Sequence, residues 1–222
     1  MTGSVERLID DTGDVAVRGT LHRPSMPAGD VLVLTHGAGS THEAPVLRAV
    51  AEAFAARGTA VLRCDLPFRQ ARPKGPPSPA GAARDRAGLR HAVEVMRARG
   101  SGRVLLGGAS YGGRQATLLV AEQPGVVDGL LLLAYPLHAP GRPEAPRTAH
   151  FPAIRTPALF VHGTRDPFGT IEELEAARTR LGAASALLRV DGVGHDLGRG
   201  RAPFGERVAD ELLALLGRLS DL

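Results

Sequence analysis

Short apolar runs alternate with longer stretches of helical periodicity along most of the chain. Residues 31–35, 60–64, 103–107, 129–133, 158–162 and 186–190 are runs rich in Val, Leu and Ala, of a length that suits strands. Their apolar character is continuous, as in strands covered on both faces. Residues 15–21 instead alternate apolar and polar positions, which predicts an edge strand. Between the runs, residues 45–56, 82–99, 114–123, 171–181 and 206–219 repeat apolar side chains at helical spacing. Gly58, Gly100, Pro124 and Gly182 stand where four of these helices should stop, and Thr170 followed by Glu172 and Glu173 is a start signal. Regular alternation of strand and helix predicts an α/β fold, a mostly parallel central sheet with helices on both faces. Residues 67–81 and 137–157 are rich in Pro and Arg and read as loops over the sheet, too short for a large helical lid. A chain of 222 residues is expected to form a single domain, 1–222.

Composition narrows the functional classes. The basic charge is almost wholly arginine, Lys74 being the only lysine, and the arginines are scattered among acids. Nucleic-acid binding would need clustered charge and stacking aromatics, so no nucleic-acid partner is expected. Cys64 is alone, which rules out an intramolecular disulfide and suits a reducing compartment. Residues 1–14 contain no apolar signal core. The longest apolar run, 126–137, is interrupted by Asp128 and too short to span a bilayer. A cytoplasmic protein without a membrane partner is expected. The histidines fall in no metal-ligand spacing, so no metal is expected.

The chemistry concentrates in four turns. Gly108-Ala-Ser-Tyr-Gly112 matches G-x-S-x-G, directly after the strand 103–107 and just before a helix. Strand, sharp turn and helix are what an exposed serine nucleophile requires, and the helix N-terminus favours negative charge in front of it. The serine hydroxyl of Ser110 needs a base, and the base needs an orienting carboxylate. His195 lies in the Gly-rich turn after the last predicted strand. Asp166 follows the strand before it, at the sheet edge where ligand-facing residues collect. Asp191 and Asp196 are too near His195 in sequence to orient it, and Asp65 reads as structural. Thr35-His-Gly-Ala-Gly-Ser40 is a glycine-rich loop after the strand 31–35, and His36 reads as a residue that fixes that loop. His138 and His150 flank the Pro-rich loop and either line the site or are solvated. Arg114, behind the nucleophile, is open to pairing with Asp, to contact with an anionic substrate, or to a surface position. Tyr111 is expected to line the acyl pocket, and Cys64 to be a buried small hydrophobe.

His36-Gly-Ala-Gly39, Gly108-Ala-Ser-Tyr-Gly112, His162-Gly-Thr-Arg-Asp-Pro167 and Gly194-His195 stand in the chain order of α/β-hydrolases. The chain resembles the dienelactone-hydrolase-like members of that superfamily. Through Tyr135-Pro-Leu-His138 and Gly163-Thr-Arg-Asp-Pro-Phe-Gly169 it is similar to the small α/β-hydrolase-like family that includes a testis-expressed protein and a histone-acetyltransferase-complex subunit. The resemblance implies an α/β-hydrolase fold with about eight strands, no cofactor, and hydrolysis of a small ester or thioester. It implies Ser110, Asp166 and His195 as catalytic residues and the N–H groups of Tyr111 and Ala38 as the oxyanion hole. Gly39 is the alternate donor, and Gly39 and His138 are expected to contact substrate. Dienelactone hydrolases proper carry cysteine where this chain has Ser110. The expected partner is a small acyl substrate, on a monomer or homodimer. Two rivals remain: a catalytically silent hydrolase fold used for binding, and an acyltransferase or perhydrolase using the same three residues.

Overall fold

The apolar runs become the inner strands of one sheet in the computed structural model, which describes residues 3–220. Among these residues there are eight strands: β1 (Ser4–Asp10), β2 (Val17–Arg23), β3 (Val31–Thr35), β4 (Ala60–Cys64), β5 (Val104–Ala109), β6 (Gly129–Leu133), β7 (Ala158–Gly163) and β8 (Ser185–Val190). Their order is β1-β2-β4-β3-β5-β6-β7-β8. The first two pairings, β1 with β2 and β2 with β4, are antiparallel, and the rest are parallel.

Side chains alternate across the sheet, which divides the core in two. Val33, Leu62, Leu106, Leu132 and Phe160 face one helical layer. It contains α3 (Ala82–Arg97), α4 (Tyr111–Glu122) and α5 (Ile171–Arg178). Leu34, Val61, Leu105, Leu131 and Val161 face the other, made of α1 (Pro45–Ala56) and α6 (Phe204–Ser220). Each such side chain, fully buried, stabilises the fold by about 1.5–3 kcal/mol. The start signal at Thr170 is a reciprocal capping box: Glu173 N–H donates to Thr170 Oγ1 at 3.1 Å, and Thr170 N–H donates to Glu173 Oε2 at 2.8 Å. No helix among the described residues is long and apolar enough to cross a membrane.

Three expectations change. The alternating segment at 15–21 falls mostly in β2, which starts two residues later, and is not an edge, because β1 pairs outside it. Only Leu8 of β1 is buried while Val5 and Ile9 point outward, so no periodic signal marks that strand. Glu6 and Arg7 place charge on this outer strand, a usual protection against edge-to-edge pairing. Residues 67–81 are not wholly loop: α2 (Pro67–Ala71) opens on a proline at its first turn and buries Phe68 and Arg69. Five residues are too few to show a helical period. The helix at 114–123 begins three residues earlier, so Ser110 is its N-cap. The connection 134–157 holds only a short 3-10 turn at Phe151–Ala153 and forms no helical lid.

Candidate active site

Parallel strands end on the same side of the sheet, so the loops after β3, β5, β6, β7 and β8 converge there. This is how residues 85 apart in sequence come to touch. Ser110 stands in the turn from β5 to α4 with φ 48° and ψ −113°, a strained conformation for a side chain with a Cβ. Glycines make the turn possible. A Cβ on Gly108 would lie 2.6 Å from the backbone of Gly112 and Gly113, and one on Gly112 would lie 2.6 Å from His36 O. The turn is tied to the sheet by Ser110 N–H donating to Leu133 O at 2.8 Å.

A hydrogen-bonded chain runs from the serine. His195 Nε2 is 2.8 Å from Ser110 Oγ, and His195 Nδ1 is 2.7 Å from Asp166 Oδ2. A carboxylate only accepts, so Nδ1 carries the proton and the Nε2 lone pair faces the serine hydroxyl. Asp166 is positioned from both sides. Its side chain has no exposure, and its second oxygen accepts Phe168 N–H at 2.9 Å. Buried His162 holds the following turn through Nε2–H to Gly169 O at 2.8 Å. The Phe168 ring stacks on His195 with centroids 4.2 Å apart. Phe168 escapes the sequence reading, although it stands two residues after Asp166.

The loop after β3 lies against the serine: a Cβ on Gly37 would be 3.4 Å from Ser110 Cβ. His36 is fully buried, and burial lowers its pKa, which keeps the ring neutral. Its Nε2 accepts Leu66 N–H at 3.1 Å, so Nδ1 bears the proton and donates to Gly37 O at 2.8 Å. Ser40 N–H donates to the same oxygen at 3.1 Å. The N–H of Ala38 belongs to that peptide unit and points oppositely across the trans bond. The next carbonyls are clamped by the buried guanidinium of Arg69, which donates to Ala38 O at 2.7 Å and Ser40 O at 2.9 Å. The N–H groups of Ala38 and Tyr111 donate to no acceptor among the described residues. Tyr111 N–H is one of the orphan donors of the first turn of α4.

A cleft of about 420 Å³ opens in front of Ser110. Its walls are largely apolar, with Ala38, Pro45, Val46, Ala134, Phe168 and Leu197 among them, and Gly39 also faces it. His138 does not. It is buried, with Nδ1 on Ala139 O at 2.7 Å and Nε2 on Glu173 Oε2 at 3.3 Å, so the expected substrate contact is replaced by a structural one. The Tyr111 side chain also turns away from the cleft: its hydroxyl donates to Asp85 Oδ2 at 2.7 Å and its ring meets Phe68 edge-on. Asp65 holds the loop after β3, accepting His42 N–H at 2.8 Å. Cys64 is buried, which pushes its thiol up to about 12 and leaves it protonated and inert. Among the described residues no three His, Cys, Asp or Glu side chains are grouped to hold a metal ion.

Known proteins share this arrangement of sheet and helices. An alpha-beta serine hydrolase homologue from Coxiella burnetii is similar with a TM-score of 0.76 at 18% identity, over 96% of this chain and 98% of that one. Dienelactone hydrolase from Anabaena variabilis gives 0.70 at 21% identity, over 100% and 97%. An esterase from Pyrococcus furiosus gives 0.74 at 15% identity, over 97% and 91%. At these identities the likeness is one of fold. Sequence carries the assignment further, because a family model described as an alpha/beta hydrolase domain matches residues 28–213, from just before β3 into α6. The chain therefore belongs to the alpha/beta hydrolase domain family.

Proposed function

We propose that this chain is a serine hydrolase that cleaves small ester or thioester bonds through an acyl-enzyme on Ser110. One observation carries the reading: Ser110 Oγ, His195 and Asp166 form a continuous hydrogen-bonded chain at 2.8 and 2.7 Å, with the serine facing an open apolar cleft. In this reading His195 takes the proton of Ser110 as the oxygen attacks the carbonyl. Asp166 holds the imidazole in the accepting tautomer and stabilises the imidazolium. The N–H groups of Ala38 and Tyr111 donate to the developing oxyanion, where each such donor is worth about 10²–10³ in rate. His195 then protonates the leaving alcohol or thiol, and water, deprotonated by the same imidazole, releases the acid.

The cleft suits a short apolar acyl chain. We place the enzyme in the cytoplasm, acting as a monomer or homodimer, and group it with the small α/β-hydrolase-like family of the testis-expressed protein. The test is hydrolysis of p-nitrophenyl butyrate by the wild type beside Ser110→Ala, with fluorophosphonate labelling in parallel. Turnover and labelling that both vanish in the variant support the proposal. A wild type that neither turns over the ester nor takes the label would make this a binding module. Acyl transfer to added alcohol or peroxide outrunning hydrolysis would make it a transferase or perhydrolase.

A further inference from the structure

Most of the buried or half-buried arginines are saturated. Arg63 donates to His22, His42 O and Glu43, Arg69 to four backbone carbonyls, and Arg103 twice to Asp30 Oδ2. Arg114 differs. It is half-buried in the first turn of α4, and its Nε is shut off from solvent with no hydrogen-bond partner. No acid pairs with its guanidinium among the described residues.

A second half-buried arginine, Arg147 in the connection 134–157, is near enough to feel the Arg114 charge. The Arg147 backbone is pinned: its N–H donates to Leu137 O at 2.7 Å and its C=O accepts the Tyr135 hydroxyl at 2.8 Å. Its side chain likewise has no acid partner among the described residues. His150 completes the cluster. Thr117 donates its hydroxyl to Arg114 O at 2.8 Å, so His150 Nε2–H donates to Thr117 Oγ1 at 2.9 Å. Burial and then Arg114 push His150 down to about 4, leaving a neutral ring, and burial and then Arg114 lower the Arg147 pKa. Two guanidiniums that repel each other, partly desolvated and without a counter-charge, are an unfavourable arrangement in the free protein. An anion reverses its sign, and arginine forks match carboxylate and phosphate oxygens.

The place is informative. Arg114 N–H donates to Ser110 O at 3.0 Å, so the cluster stands one helical turn from the nucleophile, on the α4 side of the sheet. The apolar cleft opens on the other side, against the start of α1 at Pro45 and Val46. A substrate across Ser110 would lay its acyl chain in the cleft and its leaving group toward the arginines. We propose that Arg114 and Arg147 bind an anionic group, phosphate or carboxylate, carried on the leaving-group side of the acyl substrate. The proposal rests on the serine hydrolase reading for its substrate, though not for the anion site itself.

The test compares three butyrate esters by acid release: 2-hydroxyethyl butyrate, its phosphate monoester, and 3-(butanoyloxy)propanoate. The wild type should prefer at least one anionic ester by about tenfold or more in kcat/KM, the size of one charge-assisted hydrogen bond. Which ester it is separates phosphate from carboxylate. Arg114→Gln and Arg147→Gln should each cut that preference about tenfold or more, and Arg207→Gln, an exposed arginine on α6, should leave it unchanged. Arg147 lies outside the helices and strands, so a folding defect confined to Arg114→Gln leaves the second variant as the test. Equal kcat/KM for charged and neutral esters, or a preference that survives both substitutions, overturns the proposal. Should no ester turn over and Ser110 resist fluorophosphonate, the hydrolase reading fails on its own. Titration calorimetry with inorganic phosphate and with propionate then decides the anion site: binding lost in both variants supports it, and no binding by the wild type overturns it.

Discussion

Replacing Asp166 by Asn exchanges one oxygen for an NH2 on a side chain with no exposure, where both carboxylate oxygens already hold a donor. Oδ1 accepts Phe168 N–H and Oδ2 accepts His195 Nδ1–H. An amide has one acceptor oxygen, so it can satisfy one of these donors and must turn its NH2 toward the other. If the oxygen keeps Phe168, the NH2 donates to His195 Nδ1 and forces the proton to Nε2, where it faces Ser110 Oγ. If the oxygen keeps His195, the NH2 opposes Phe168 N–H in a spot with no exposure. The first arrangement avoids the clash and should dominate. It loses the charge-assisted bond that stabilises an imidazolium, about 1.5–3 kcal/mol, and needs a tautomer that leaves a buried donor unmet, about 1–3 kcal/mol. The barrier to attack therefore rises by roughly 2.5–6 kcal/mol, a fall of about 10²–10⁴ in kcat. The assay is steady-state hydrolysis of p-nitrophenyl butyrate, with circular dichroism to show that the fold is kept. A variant within about tenfold of the wild type would refute the assignment of Asp166 as the residue that sets the tautomer.

Two other buried groups carry measurable consequences. Arg69→Met strips four carbonyls of their donor and frees the peptide units that follow Ala38 and Ser40. It should cost about 3–5 kcal/mol in urea unfolding and lower kcat more than it raises KM; unchanged stability would show that Arg69 is no clamp. His22 is buried and accepts Arg63 Nε–H, and burial followed by the Arg63 charge pushes it down to about 4. Because the folded pKa lies below the unfolded value of about 6.5, its contribution is fully present above pH 6.5 and is lost as pH falls toward 4. Between pH 7 and 5 the wild type should lose about 2 kcal/mol more stability than His22→Gln, whose carbonyl can still accept from Arg63; equal losses would refute the linkage.

The sequence is most legible where one physical signal suffices. A five-residue run such as Val31-Leu-Val-Leu-Thr35 has few homes other than an inner strand, and β3 covers those residues. Ser110, Asp166 and His195 stand out because each closes a strand-to-loop turn, and parallel strands bring all such turns to one edge of the sheet. What stays hidden depends on the path of a loop through space. Arg69 lies in a Pro-, Gly- and Arg-rich stretch where nothing local distinguishes a clamp from a solvated side chain. His138 reads as a lining or solvated residue because it flanks a Pro-rich loop, yet the chain turns back there. His138 N–H donates to Phe168 O at 3.1 Å, and its ring is spent on Ala139 O and Glu173.

The same loop path links the two halves of the molecule's chemistry. The hydrogen bond from His138 N–H to Phe168 O fixes the segment that carries the ring stacked on His195. The hydrogen bond from Arg147 N–H to Leu137 O, one residue earlier, fixes the segment that carries the second cation. One connection, held at adjacent residues, therefore positions both the face of the base and the charge opposite the apolar cleft. A bound anion that orders Arg147 would stiffen the loop against which Phe168 and His195 pack. Discrimination by charge would then appear in kcat as well as in KM, since an interaction that reaches the base acts on the transition state and not on binding alone.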